Sequence, residues 1–150
     1  MKHLILVVFS FLFMSSAVLA EKPHGPKAIE VKVDLGTKDG QLVFVPDSLT
    51  FERGNYYKLV IHNPSEQDHY FTSDAFSTHI FTRKVEIMNK AGKTIAEIHG
   101  DINDMELKPG STVEWFFFPM TKGKDLKLFC HKNDHEEQGM IGSINITGNL

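Results

Sequence analysis

Apolar segments of strand length, each closed by a turn signal, recur along this chain from residue 29 onward, and that pattern admits few folds. Ile29, Val31, Val33 and Leu35 alternate with Glu30, Lys32 and Asp34, which is the period of a strand with one face buried. Similar segments follow at 42–45, 49–51, 56–62, 84–88, 94–98, 112–118, 126–130 and 142–147. Between them stand Pro46-Asp47, Arg53-Gly54, Asn63-Pro64, His99-Gly100 and Pro109-Gly110, residues that turn a chain. No 3.6-residue apolar period is sustained, and residues 73–81 are the one candidate for a short helix. So many short strands at this spacing predict an all-β, antiparallel sandwich or barrel.

The ends of the chain divide differently. Residues 1–20 read as a secretory signal peptide, with basic Lys2, an apolar run from Leu4 to Phe13 too short for a comfortable membrane span, and Val18-Leu-Ala20 before the cut. Residues 21–28, rich in Pro and Gly, read as a flexible lead-in, and 29–150 as a single domain large enough for a real core. The expected location is the periplasm or the exterior, with no stable membrane span once the signal is cleaved. Net charge is −3, or −4 without Lys2, which argues against a nucleic-acid partner because phosphate contacts need a basic face. Cys130 is the only cysteine, so this exported chain has no internal disulfide, and its thiol should be an intermolecular bridge, a reactive group or a metal ligand.

The context of that cysteine narrows the choice. Cys130, His135 and Met140 follow one another in the spacing Cys-x4-His-x4-Met, so one short loop offers a thiolate, an imidazole and a thioether. With one more histidine this is the ligand set of a blue-copper centre. The mature chain offers His24, His62, His69, His79, His99 and His131. His69 has the best context, just beyond a strand ending in Asn63-Pro64, where a loop can carry its ring to the end of a sandwich. Alternation along 126–130 points Leu126, Leu128 and Cys130 inward and turns His131 away. Ile144 and Ile146 should face the core after Met140. Phe71, Phe76 and the run Trp115-Phe-Phe-Phe118 read as core packing, with alternation sending part of that run outward.

On these residues the chain resembles the cupredoxin family of blue copper proteins, plastocyanin- and azurin-like, from about Gln41 to its end. The resemblance is carried by Phe44-x-Pro46-x-x-Leu49-x-Phe51-x-x-Gly54, Tyr57-x-Leu59, His69-Tyr-Phe71, Pro109-Gly110 and Cys130-His-x3-His135-x3-Gly-Met140-x-Gly142. It implies a Greek-key β-sandwich binding one copper ion, Cu(II) or Cu(I), through His69, Cys130, His135 and Met140, with electrons leaving by the edge of His135. Two departures stand out. Tyr70 occupies a position where many members have an Asn that ties the two ligand loops together, and Asn133-Asp134 stand where related loops often have Pro-Gly. The segment 72–104 is longer than in the smallest members and has no role legible in its sequence. The expected function is one-electron transport to a redox partner protein, rather than catalysis; the alternative is copper tolerance, storage or delivery to a copper-accepting protein.

Overall fold

The computed structural model describes residues 26–148. The expected signal peptide (1–20), the lead-in as far as residue 25 with His24, and residues 149–150 lie outside the described residues. In chain order the elements are β1 (Ile29–Leu35), β2 (Phe44–Val45), β3 (Ser48–Glu52), β4 (Tyr57–His62), β5 (His69–Thr72), α1 (Asp74–Ser77), β6 (Ile80–Met88), β7 (Thr94–Ile98), β8 (Asp104–Leu107), β9 (Thr112–Pro119), β10 (Gly123–Phe129) and β11 (Ile141–Thr147).

These strands form two sheets, in the orders β2-β1-β4-β9-β6-β7 and β3-β11-β10-β5-β8. The all-antiparallel arrangement expected from strand spacing needs correction in two places, because β1 pairs parallel with β4 and β3 parallel with β11. In each case the chain visits the other sheet between the two strands. The chain leaves the first sheet after β2, adds β3 to the second, and returns to the first for β4. Parallel neighbours need such long connections, which strand spacing alone does not reveal.

The sheets close over a core whose fully buried side chains include Leu35, Leu59, Ile61, Phe71, Phe76, Trp115, Phe117, Leu128 and Ile144. β9 shows why. Its residues alternate between half-buried and buried, so Val113, Trp115 and Phe117 point inward while Phe116 and Phe118 point out. Inside, the Phe117 ring meets Phe51, Tyr57, Phe76 and Trp115 at centroid distances of 5.1, 5.9, 5.2 and 5.8 Å. Outside, Tyr56 stacks on Phe118 at 4.7 Å and the Lys84 ammonium lies 5.1 Å over the Phe116 ring, so the outward rings are partly covered.

The helix expected around 73–81 is a single turn, 74–77, and Ile80 already belongs to β6. Ser73 stands at the N-cap but makes no capping bond; its hydroxyl donates instead to the Lys127 carbonyl at 2.6 Å, tying the turn to β10. Asp74–Ser77 is further shortened when the His79 N–H closes on the Phe76 carbonyl at 2.9 Å. Two short strands, β5 and β8, were not legible as strands in the sequence. Each is only four residues long, too short to display an alternation. No helix among the described residues is long and apolar enough to cross a membrane.

Removing the ring at the centre of the aromatic cluster should leave a cavity that the sheets cannot collapse into. Phe117→Ala is expected to cost about 3–5 kcal/mol, read as a lowered denaturant midpoint with the slope of the transition unchanged.

Candidate metal centre

Three side chains converge at one end of the sandwich. His69 is the first residue of β5, not a loop residue as its sequence context suggested, and its register opposite Leu107 of β8 turns its ring inward with Phe71. Cys130 follows the last residue of β10, and Met140 precedes the first of β11. His135 lies between them. Their exposures are 1% for His69, 0% for Cys130, 4% for His135 and 0% for Met140, so all four expected ligand residues are buried.

The 130–140 loop holds itself in shape. The Cys130 N–H donates to the Met140 carbonyl at 3.2 Å, the Met140 N–H to the His135 carbonyl at 2.8 Å, and the His135 N–H to the Lys132 carbonyl at 3.0 Å. Asn133 takes up positive φ, 51°, inside this loop. Asn tolerates that conformation better than most residues, so the absence of Pro-Gly does not prevent a tight loop.

The ligand atoms form a compact triangle. His69 Nδ1 and His135 Nδ1 are 3.3 Å apart, and the Cys130 Sγ lies 3.4 Å from His135 Nδ1 and 3.9 Å from His69 Nδ1. An ion in a trigonal plane, with metal–nitrogen and metal–sulfur bonds of about 2.0 and 2.3 Å, would hold such atoms about 3.5 to 3.7 Å apart. The triangle therefore fits one metal ion, and among the described residues it is the one group of three such ligands that comes together. Its chemistry is that of a soft site with two imidazole nitrogens and a thiolate.

Burial favours the neutral forms of His69 and Cys130. Burial, followed by the neighbouring His135, pushes His69 down to about 4, against the opposing pull of Asp68. Burial likewise pushes the Cys130 thiol up, while the backbone N–H groups of Tyr70 and Lys132 favour its anion. The Tyr70 N–H reaches the sulfur at 3.2 Å. To hold a metal ion, the Cys130 sulfur would have to give up its proton, which the charge of a cation would favour.

The other described histidines are engaged elsewhere. His62 Nδ1 bonds Thr112 Oγ1 at 2.9 Å, His79 Nδ1 bonds the Ala75 carbonyl at 2.6 Å, and His99 joins Glu97 at 2.8 Å. His131, as strand direction predicts, turns out to the surface and meets Asp104 at 3.1 Å. Tyr70, which stands where a tying Asn was expected, makes its own tie: its ring packs on the His131 ring with centroids 4.0 Å apart.

Two residues that sequence reasoning passed over hold His69 from behind. Asn63, fully buried, donates its amide to the Gln67 and Leu107 carbonyls at 2.7 and 2.9 Å and accepts from the Ser65 hydroxyl at 2.8 Å, fixing the loop that leads into His69. Asn63-Pro64 was legible only as a turn. Gly36 has φ +72°, and a Cβ there would come 2.6 Å from His69 Nε2, so the ring packs directly on its backbone. Its one signal in the sequence is a glycine closing an apolar alternation.

No protein-family model matches the sequence, and no curated protein matches it. Solved structures do. A multicopper oxidase from Campylobacter jejuni superposes with a TM-score of 0.60 at 18% identity, covering 88% of this chain. Dithionite-reduced auracyanin from the photosynthetic bacterium Roseiflexus castenholzii gives 0.51 at 16% identity, covering 81% of this chain and 99% of its own. A copper nitrite reductase from Nitrosomonas europaea gives 0.60 at 14% identity, covering 81% of this chain and half of its own, 50%. The chain has a cupredoxin-like fold. It spans 32% of the Campylobacter oxidase, so the cupredoxin-like sandwich corresponds to a part of that protein. In the sandwich described here, the metal group lies where the ends of β5, β10 and β11 meet.

The contact between Gly36 and His69 yields a controlled comparison. Gly36→Ala should displace the His69 ring and weaken metal binding about 10- to 100-fold, measured by competition with a chromophoric chelator. Gly40→Ala introduces a side chain at φ +86° with nothing within 4 Å; it should lose only about 1 kcal/mol of stability and bind metal normally.

Proposed function

We propose that this chain is an exported, mononuclear copper protein that carries single electrons, holding one copper ion through His69, Cys130, His135 and Met140. The buried triangle of two imidazole Nδ1 atoms and one thiol sulfur, with ligand-atom separations of 3.3, 3.4 and 3.9 Å, carries the reading. Copper bound in such a site supplies a Cu(II)/Cu(I) couple that exchanges one electron without making or breaking bonds to a substrate.

The protein's part is geometry and environment. A thiolate with two imidazoles favours copper over hard ions such as magnesium or calcium. The loop's internal hydrogen bonds, anchored at both ends in β10 and β11, hold the donors in a set arrangement, so that little would rearrange between oxidation states. Burial of all four side chains keeps water out. Met140, whose backbone is bonded to both Cys130 and His135, would supply a weaker thioether ligand.

Electron transport is supported by the donor set of the His69, Cys130 and His135 group, two imidazoles and one thiolate gathered in one buried place. Likeness to an auracyanin that has been crystallised in a dithionite-reduced state agrees with a redox role. The partner would be a redox protein, met through a small and short-lived interface. Export is read from residues 1–20 and agrees with a lone cysteine kept from disulfides by burial.

Loading with Cu(II) and recording absorption and EPR spectra tests the assignment. An intense visible thiolate-to-copper band is expected, lost in Cys130→Ala, strongly disturbed in His69→Ala and largely kept in His131→Ala. A copper-loaded wild type without that band would sink the blue-type reading. Rapid, reversible reduction with slow metal release is expected of a carrier; ready transfer of copper to an acceptor with sluggish electron exchange would assign the chain to copper delivery instead.

A further inference from the structure

The sheet hydrogen bonds stop short of the Cys130 sulfur. β10 ends at Phe129, and its ladder with β5 reduces to the single pair Phe129 and Thr72. What holds the next residues comes from β8, the outermost strand of that sheet. Alternation along β8 turns Leu107 into the core and leaves Asp104 and Glu106 exposed on the other face. Register sets Glu106 opposite Tyr70 and Asp104 opposite Thr72, so four side chains of β5 and β8 share that outer face.

The two residues after Cys130 both close onto it. Asp104 accepts from the Thr72 hydroxyl at 2.6 Å and faces His131 Nε2 at 3.1 and 3.2 Å, while the His131 ring lies on Tyr70. The Lys132 ammonium reaches Glu106 at 3.0 Å and Asp68 at 3.2 Å, and Lys108 bridges the same two carboxylates at 3.0 and 2.8 Å. Isolated pairs at such exposure are weak, but linked in a network around a stacked ring pair they act together on one short stretch of chain.

We propose that Asp104 and Glu106 are positioning residues which, acting through His131 and Lys132, latch the 130–132 segment onto β5 and so hold the Cys130 sulfur against the Tyr70 N–H. The latch gives the 72–104 extension a role, since that segment leads into β8. It also explains what replaces a tying Asn at position 70. Its bearing on copper rests on the function proposed above, but the shielding of the metal-free thiol does not.

The test uses the whole protein without metal. Cys130 is the only cysteine, so iodoacetamide reports on it alone. In Asp104→Ala/Glu106→Ala the segment should open more often, and alkylation should quicken about tenfold while the thermal midpoint falls by only a few degrees. Glu97→Gln, which breaks ion pairs to Lys84 and His99 on the opposite sheet, should leave the rate unchanged. A wild-type rate in the double variant, or an equal rise in Glu97→Gln, overturns the latch. If the double variant fails to fold, Lys132→Met alone should still quicken alkylation about threefold, and no change there is likewise fatal. With copper bound, the double variant should show a shifted thiolate band and altered EPR hyperfine coupling. A wild type lacking the band refutes the copper reading and leaves the alkylation result standing; an unshifted band refutes the latch alone.

Discussion

The antiparallel pairing of β10 with β11 is the constraint on which everything at this end of the molecule depends. It runs from the register of Gly123 with Ile146 to that of Phe129 with Ile141, and it pins both ends of the 130–140 loop. A loop tied at both ends and cross-bonded within has few conformations left, so the thiol of Cys130 and the ring of His135 are presented in a set relation before any ion arrives. The pairing is itself secured by the core. Leu128, Ile144 and Ile146 are almost completely buried, and slipping the register by one residue would turn them to solvent.

His69 reaches the same place by an independent route. It depends on β5, a four-residue strand that would be marginal alone, and on the neighbours that brace it. β8 fixes its register from one side, Asn63 fixes the approach of the chain, and the bare backbone of Gly36 leaves room for the ring. Two separately anchored pieces thus meet across a gap of 3.3 Å between imidazole nitrogens. Burial favours the uncharged forms of the His69 imidazole and the Cys130 thiol.

Likeness to parts of a multicopper oxidase and a copper nitrite reductase, and to nearly the whole of an auracyanin, shows how one sandwich serves chains of different size. At identities of 14 to 18% the shared property is the fold. Purpose has to be argued from the site. In this chain the site is defined by its candidate donor atoms, their separations and their burial.

The sequence by itself determined the all-β class, the inward direction of Cys130, Leu128 and Ile144, and the outward turn of His131, because alternation along a strand is a local property. It also singled out candidate donors, since Cys130, His135 and Met140 lie within one short stretch. Only the tertiary structure decided the parallel pairings of β1 with β4 and β3 with β11, the strand character of 69–72 and 104–107, and the roles of Gly36, Asn63, Asp104 and Glu106. Those depend on contacts between residues as much as 96 positions apart, as Phe51 and Thr147 are. Such contacts are set by which strand becomes the neighbour of which, and a strand's own residues record the face it buries but not the partner it finds.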